Sequence, residues 1–143
     1  MKKLATLQLI LGSATLIACS KGQEINGHNT ATAYRSVKSI KNRLSPVHRI
    51  EFEVSVWTIR DAKKDNKEFL DAVDGKTPEE IIAIGKEIYQ ERKTAGFKGY
   101  EQYSSWDEMI TKFGKERMDQ DNRKGRSKEE MDKEKANDVL YKL

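Results

Sequence analysis

The chain has only one cysteine, two prolines and two histidines in 143 residues, so it is short of the side chains that most often staple, interrupt or catalyse. A single thiol excludes an intramolecular disulfide, and packing alone must hold the core. The histidines, His28 and His48, have no histidine or glutamate around them at a metal-binding spacing, so neither a zinc site nor any other metal site is expected. No apolar stretch reaches the roughly 20 residues that a membrane-spanning helix needs. Charge of one sign is also scarce: 27 basic residues face 23 acidic ones, a formal balance of +4 with no long block of either.

What is present begins at the N-terminus. Met1-Lys2-Lys3 is followed by a largely apolar stretch from Leu4 to Ile17, then by Ala18 and Cys19. A positive start, an apolar middle and a small residue before a cut are the parts of a secretory signal. Leu16-Ile17-Ala18-Cys19 resembles the signal of bacterial lipoproteins. That resemblance implies cleavage between Ala18 and Cys19 and acylation of the Cys19 thiol, which anchors the chain in a membrane. Ser20 after the cysteine, where aspartate is absent, implies the outer membrane of a two-membrane cell, facing the periplasm. Removal of residues 1–18 leaves 125 residues and lowers the formal charge to +2, because Lys2 and Lys3 are lost. This is one small domain. Residues 19–29, polar and with two glycines, read as a lipidated tether, and residues 30–143 as the domain.

The periodicity along that domain is helical. Ala33, Val37, Ile40 and Leu44 recur at spacings of four, three and four, and Ser45-Pro46 suits a stop followed by a new helix. Ile50, Phe52, Val54 and Val56 alternate with polar residues and, taken alone, read as a strand. As a helix, the same segment puts Ile50, Val54 and Trp57 on one face and Phe52, Val56 and Ile59 on the other. Helix is preferred, since no partner strand exists elsewhere. Lys67 to Val73 gives a short helix. Thr77-Pro78-Glu79-Glu80 is a capping box with proline in the first turn, and Ser105-Trp106-Asp107-Glu108 and Ser127-Lys128-Glu129-Glu130 repeat the serine or threonine to glutamate spacing. Gly96 and Gly114 are expected to end the helices before them, and the last helix to dock only by its tip, Val139, Leu140, Tyr141 and Leu143. The fold class is all-α, with five to six helices.

Most motifs that could carry chemistry fail on a specific residue. Gly75-Lys76-Thr77 looks like the end of a phosphate-binding loop, but Leu70 stands where that loop requires glycine, so no nucleotide is expected. Asp119, Asp121 and Glu130 have calcium-loop spacing, yet Arg123 and Lys124 occupy a ligand position and the turn glycine. No serine motif supports a nucleophile.

Two surfaces remain. Arg35, Lys38, Lys41, Arg43 and Arg49 follow one another without an intervening acid, and beside a lipid anchor they could meet anionic head groups or form a plain solvated face. Phe97, Tyr100, Tyr103 and Trp106 cluster around Gly96 and Gly99, a composition that suits either a partner-binding surface or the sealing of a core. Nucleic acid is not an expected partner, because export removes the chain from it.

Asp74-Gly75-Lys76-Thr77-Pro78-Glu79-Glu80-Ile81-Ile82, together with the Cys19 signal and Glu51-Phe52-Glu53, resembles a group of small bacterial lipoproteins of unknown function, over about residues 25–91. The resemblance implies a helical fold and the membrane address, and carries no activity and no cofactor. The expectation is a lipid-anchored module that binds a protein or envelope component without doing chemistry. Two alternatives stay open: an exclusion or immunity lipoprotein carried by mobile DNA, and an envelope hydrolase built from scattered carboxylates. Replacing Cys19 with serine should leave the uncleaved precursor and abolish fatty-acid labelling while helical circular dichroism is retained. Unchanged labelling would overturn the anchor.

Overall fold

The computed structural model of the chain describes residues 23–140, with side chains up to residue 130 and at Asp132. The signal segment, Ala18 and Cys19 lie outside the described residues, as do the side chains of Val139 and Leu140 and the whole of Tyr141 and Leu143. Six helices are present and, among the described residues, no strand: α1 (Thr30–Lys41), α2 (Pro46–Ala62), α3 (Asn66–Val73), α4 (Pro78–Thr94), α5 (Lys98–Glu101) and α6 (Trp106–Leu140). No helix among them is long and apolar enough to cross a membrane.

The helix α2 is buried on two sides, which is why its alternating pattern does not make a strand. Phe52, Val56 and Ile59 pack into one core cluster with Ile25, Ala33, Ile40, Phe69, Val73 and Ile81. Val54 enters a second cluster with Tyr89, Tyr100, Trp106 and Met109, and Ile50 lies against it. Two buried hydroxyls on α2 are satisfied within the helix: Ser55 Oγ donates to Glu51 O at 2.7 Å and Thr58 Oγ1 to Val54 O at 2.8 Å. Across α2 runs α4, its most extensive partner. At the crossing Gly85 is so close to Ser55 that a Cβ on the glycine would lie 2.8 Å from Ser55 Cβ.

Local signals start these helices, the one at Thr77 as expected. Thr77 and Glu80 exchange both bonds of a capping box, with Thr77 N donating to Glu80 Oε2 at 2.9 Å. Asn29 and Thr32 form a second such box at α1. Asp65 accepts from Lys67 N and Glu68 N to start α3. Gly75, at φ 66°, takes the left-handed turn that follows α3, and Gly96, at φ 76°, the one that follows α4.

Three expectations are corrected. The tether does not extend to Asn29: Ile25 is 1% exposed and clamped, its N–H donating to Lys76 O at 3.0 Å and its carbonyl accepting from Gly75 N at 2.8 Å. The fold therefore begins at Ile25, not at Thr30. Gly114 does not stop a helix, because α6 runs through it; the glycine faces Ile50 of α2, and its approximate cost of 1 kcal/mol against alanine is one a packed helix tolerates. Nor does Ser127 start a new helix, and Glu130 caps nothing there; both lie exposed inside α6.

The start of α6 is also a variant of what its sequence suggests. Ser105 Oγ accepts from Glu108 N at 3.1 Å, but the Glu108 carboxylate turns to Ser104, taking its N–H at 2.7 Å and its hydroxyl as well. Those Ser104 bonds, with Lys112 at 2.9 Å, pull the Glu108 carboxyl down to about 2.

Gly85→Ala tests the crossing. In an open helix this change adds about 1 kcal/mol of propensity. Here overpacking against Ser55 should outweigh it, for a net loss of about 1–2 kcal/mol in urea unfolding, with Gly85→Val losing more.

Candidate functional site

The loop rich in aromatic residues turns out to be core. Tyr100 is 3% exposed and Trp106 8%. Tyr89 packs against both at steep angles, its ring centroid 6.2 Å from that of Tyr100 and 5.7 Å, edge to face, from that of Trp106. The Trp106 indole donates to Glu51 Oε1 at 2.9 Å, which anchors the start of α6 to α2. Tyr103 is half-buried against Phe113, and Lys93 Nζ donates to the Tyr103 and Ser104 carbonyls, fixing the loop from α4. Of the four aromatics expected as a contact surface, only Phe97 is well exposed, and the Arg92 guanidinium lies over its ring at 4.7 Å. The expectation of a partner surface on Tyr100 and Trp106 is corrected accordingly: side chains this buried seal the joint between α2, α4 and α6.

The exposed aromatic surface is on α2. Trp57 is 50% exposed, its ring 5.9 Å from Phe113 and 6.4 Å from Tyr100. It stands between two hollows and lines both. The first, of about 260 Å³, runs between α2 and α6 and is walled by Ile50, Val54, Trp57 and Phe113, with Glu53, Glu116, Arg117 and Gln120 at its margins. Along this side α6 meets α2 through Trp57 against Phe113 and through Glu53 facing Arg117, 3.8 Å apart. The second hollow, of about 380 Å³, lies at the C-terminal end of α2 among Trp57, Arg60, Asp61 and Lys64.

The charges in the second hollow are unevenly spent. Asp61 Oδ2 accepts from Arg92 Nη1 at 2.7 Å and from Tyr100 Oη at 3.0 Å, so its charge is matched from α4. Lys64 stands 3.6 Å from Asp61 Oδ1 with 82% of its side chain exposed. Arg60 lies over the Phe69 ring at 5.1 Å and gives Nη2 to the neutral Asn66 Oδ1 at 2.7 Å. Its buried Nη1 finds no hydrogen-bond partner among the described residues. Sequence reading missed this site because Trp57 was assigned to a buried face. A signal was available: the face Ile50, Val54, Trp57 continues at helical spacing into Arg60, Asp61 and Lys64, so it stops being apolar at Trp57.

The basic run of α1 is partly used in the fold. Lys41 Nζ is 2.6 Å from Glu53 Oε1, and Arg49 donates from Nε to Lys41 O at 2.9 Å and from Nη2 to Leu44 O at 3.3 Å. These contacts join the end of α1 to α2. Arg35, Lys38 and Arg43 are exposed.

Other candidate chemistry does not assemble. Ser45 Oγ and His48 Nδ1 are 2.8 Å apart, but both are exposed on the first turn of α2 and line neither hollow. Burial pushes the nearby Glu51 carboxyl up, yet the bond from Trp106 and the pairing with Lys86 at 3.1 Å outweigh it and hold the group below its ordinary value. Both contacts converge on Oε1. Among the described residues no group of three or more histidine, cysteine or acidic side chains is arranged to hold a metal. Asp119 and Asp121 lie on the continuous α6, with no loop to wrap a cation.

No family model, no curated protein and no solved structure matches the chain. The site therefore rests on its own geometry.

The Tyr100 phenol offers a check on the network behind the groove. Burial first, then the bond to Asp61, pushes its ionisation up to about 12 from an ordinary 10. A group whose proton is held more tightly in the folded state contributes stability that is full below pH 10 and is lost as pH rises toward 12. Unfolding free energy should fall across that window, and Tyr100→Phe should flatten the fall. An unchanged alkaline limb in Tyr100→Phe would show that another group titrates there.

Proposed function

We propose that this protein is a lipid-anchored envelope protein, held by Cys19, that binds another protein through the groove between α2 and α6 and does no chemistry on it. The observation that carries the reading is Trp57, half-exposed over a floor of Ile50, Val54 and Phe113. A tryptophan buries on the order of 200 Å² when covered, so covering the exposed half of this ring is worth roughly 2 kcal/mol. Side chains of this kind are those on which protein interfaces concentrate their energy.

The address supports the same reading. With lipid on Cys19, the exposed Arg35, Lys38 and Arg43 add cations close to the bilayer, each worth on the order of 1 kcal/mol against anionic head groups. Ser20 directs the anchored chain to the outer membrane, facing the periplasm. The membrane is one partner and an envelope protein the other.

A photo-reactive amino acid at Gln120, on the margin of the groove, should give one discrete protein adduct in intact cells. The same group at the exposed Glu79, outside the groove, should not, and Trp57→Ser should remove the Gln120 adduct. Equal adducts from both positions, or an adduct indifferent to Trp57→Ser, would refute docking at this groove.

A further inference from the structure

We infer that the occupant of the groove is an acidic peptide segment: a large apolar side chain rests on Trp57 between α2 and α6, and a carboxylate a few residues away is received by Arg60 and Lys64. This rests on the docking reading above and adds the chemistry of the partner.

The strip that would receive such a segment follows α2 and runs just past its end. Ile50, Val54 and Trp57, at steps of four and three, line one hollow; Arg60 and Asp61, three and four residues on from Trp57, line the other with Trp57 itself and with Lys64, which lies beyond the helix. From Ile50 to Asp61 the helix rises about 16 Å at 1.5 Å per residue, and Lys64 carries the strip to about 20 Å. An extended chain covers that length in about six residues. A peptide fits an open, elongated strip of this kind, whereas compact small ligands sit in enclosed pockets.

Charge complementarity decides the polar end. Three groups in the second hollow are charged, but Asp61 is matched by Arg92 and hydrogen-bonded by Tyr100. Arg60 makes no ion pair among the described residues; its one side-chain acceptor is the Asn66 amide, and its Nη1 is unspent. Lys64 reaches solvent, and the neighbouring Lys63 is exposed as well. The C-terminal end of α2 itself opposes an anion, by the equivalent of about half a charge. Two to three full positive charges outweigh it. Arg60 Nη1 is buried, so Arg60 contributes an unmatched positive charge beside the hollow, and the solvent-facing Lys64 ammonium supplies the N–H donors that a carboxylate reaches.

At the other end of the strip Glu53 is paired with Lys41 at 2.6 Å and faces Arg117 at 3.8 Å, while Glu116 stands exposed on the margin. An acid placed there would meet these carboxylates, so a segment binds in one direction, apolar residue toward Phe113 and acid toward Lys64.

The test uses the mature chain without lipid and a displayed library of random heptapeptides as the probe. Binding of selected peptides is followed by titration calorimetry, a readout that survives replacement of Trp57. Selected peptides should carry aspartate or glutamate within three residues of a large apolar residue. Lys64→Glu, at a position too exposed to unsettle the fold, should weaken them at least tenfold, as should Arg60→Gln, and added salt should weaken them further. Trp57→Ser should abolish binding. Peptides that need Trp57 but are neutral or basic, or that bind Lys64→Glu as well as the parent, would overturn the inference and leave the docking reading standing. If no selected peptide depends on Trp57, both fail. Anionic lipid vesicles that bind through Lys64 while acidic peptides do not would equally overturn it, in favour of a membrane contact.

Discussion

The close approach of α2 and α4 at Ser55 and Gly85 is the constraint on which the other elements depend. It is possible only because position 85 has no side chain, and it brings two backbones together where a methyl group would not fit. With α4 that close, α2 divides the interior in two. Phe52, Val56 and Ile59 face the cluster that contains α1, α3 and the clamped Ile25, while Val54 faces the cluster built on Tyr89, Tyr100 and Trp106. The second cluster has less to cover it, since α6 reaches α2 along one side only. Trp57 is what is left over at that margin.

The polar contacts around α2 do related work at its two ends. Lys41 and Arg49 close the turn between α1 and α2, and Lys86 and Trp106 converge on Glu51 from α4 and α6. At the far end Arg92 and Tyr100 hold Asp61. Partly exposed pairs of this sort each contribute modestly to stability. Their larger effect is on register, because each joins α2 to a different neighbour. A helix held in this way keeps one face turned to solvent in a defined orientation, which a binding surface requires.

Much of this fold was legible in the sequence, for reasons of range. The start of α4 is set by side chains three residues from the amides they cap, so the Thr77 to Glu80 motif reports it well, whereas the caps Asn29 and Asp65 of α1 and α3 went unread. The two-faced character of residues 50–59 was legible from periodicity combined with the lack of a second strand. What failed were the two interruptions read into α6. Gly114 and the Ser127 to Glu130 motif each express a local preference of about 1 kcal/mol, which a helix already growing overrides. The aromatic loop stayed open between two readings, because whether Tyr100 and Trp106 seal a core or face a partner depends on Tyr89, Val54 and Met109, all supplied from elsewhere in the chain. The groove itself depends on what α6 leaves uncovered, a quantity that composition does not contain.

The clamp on Ile25 has a consequence for where this protein can act. With the chain anchored at Cys19 as proposed, six peptide units join the lipid to a residue fixed in the core, a reach of at most about 20 Å. That is shorter than the domain is wide, so the domain cannot swing free of the bilayer and search the depth of its compartment. Encounters are confined to a thin layer over the lipid, where diffusion is two-dimensional. The partner must come to the surface, either as a membrane protein whose exposed segments rise only a short way from the bilayer or as a soluble one drawn down to it.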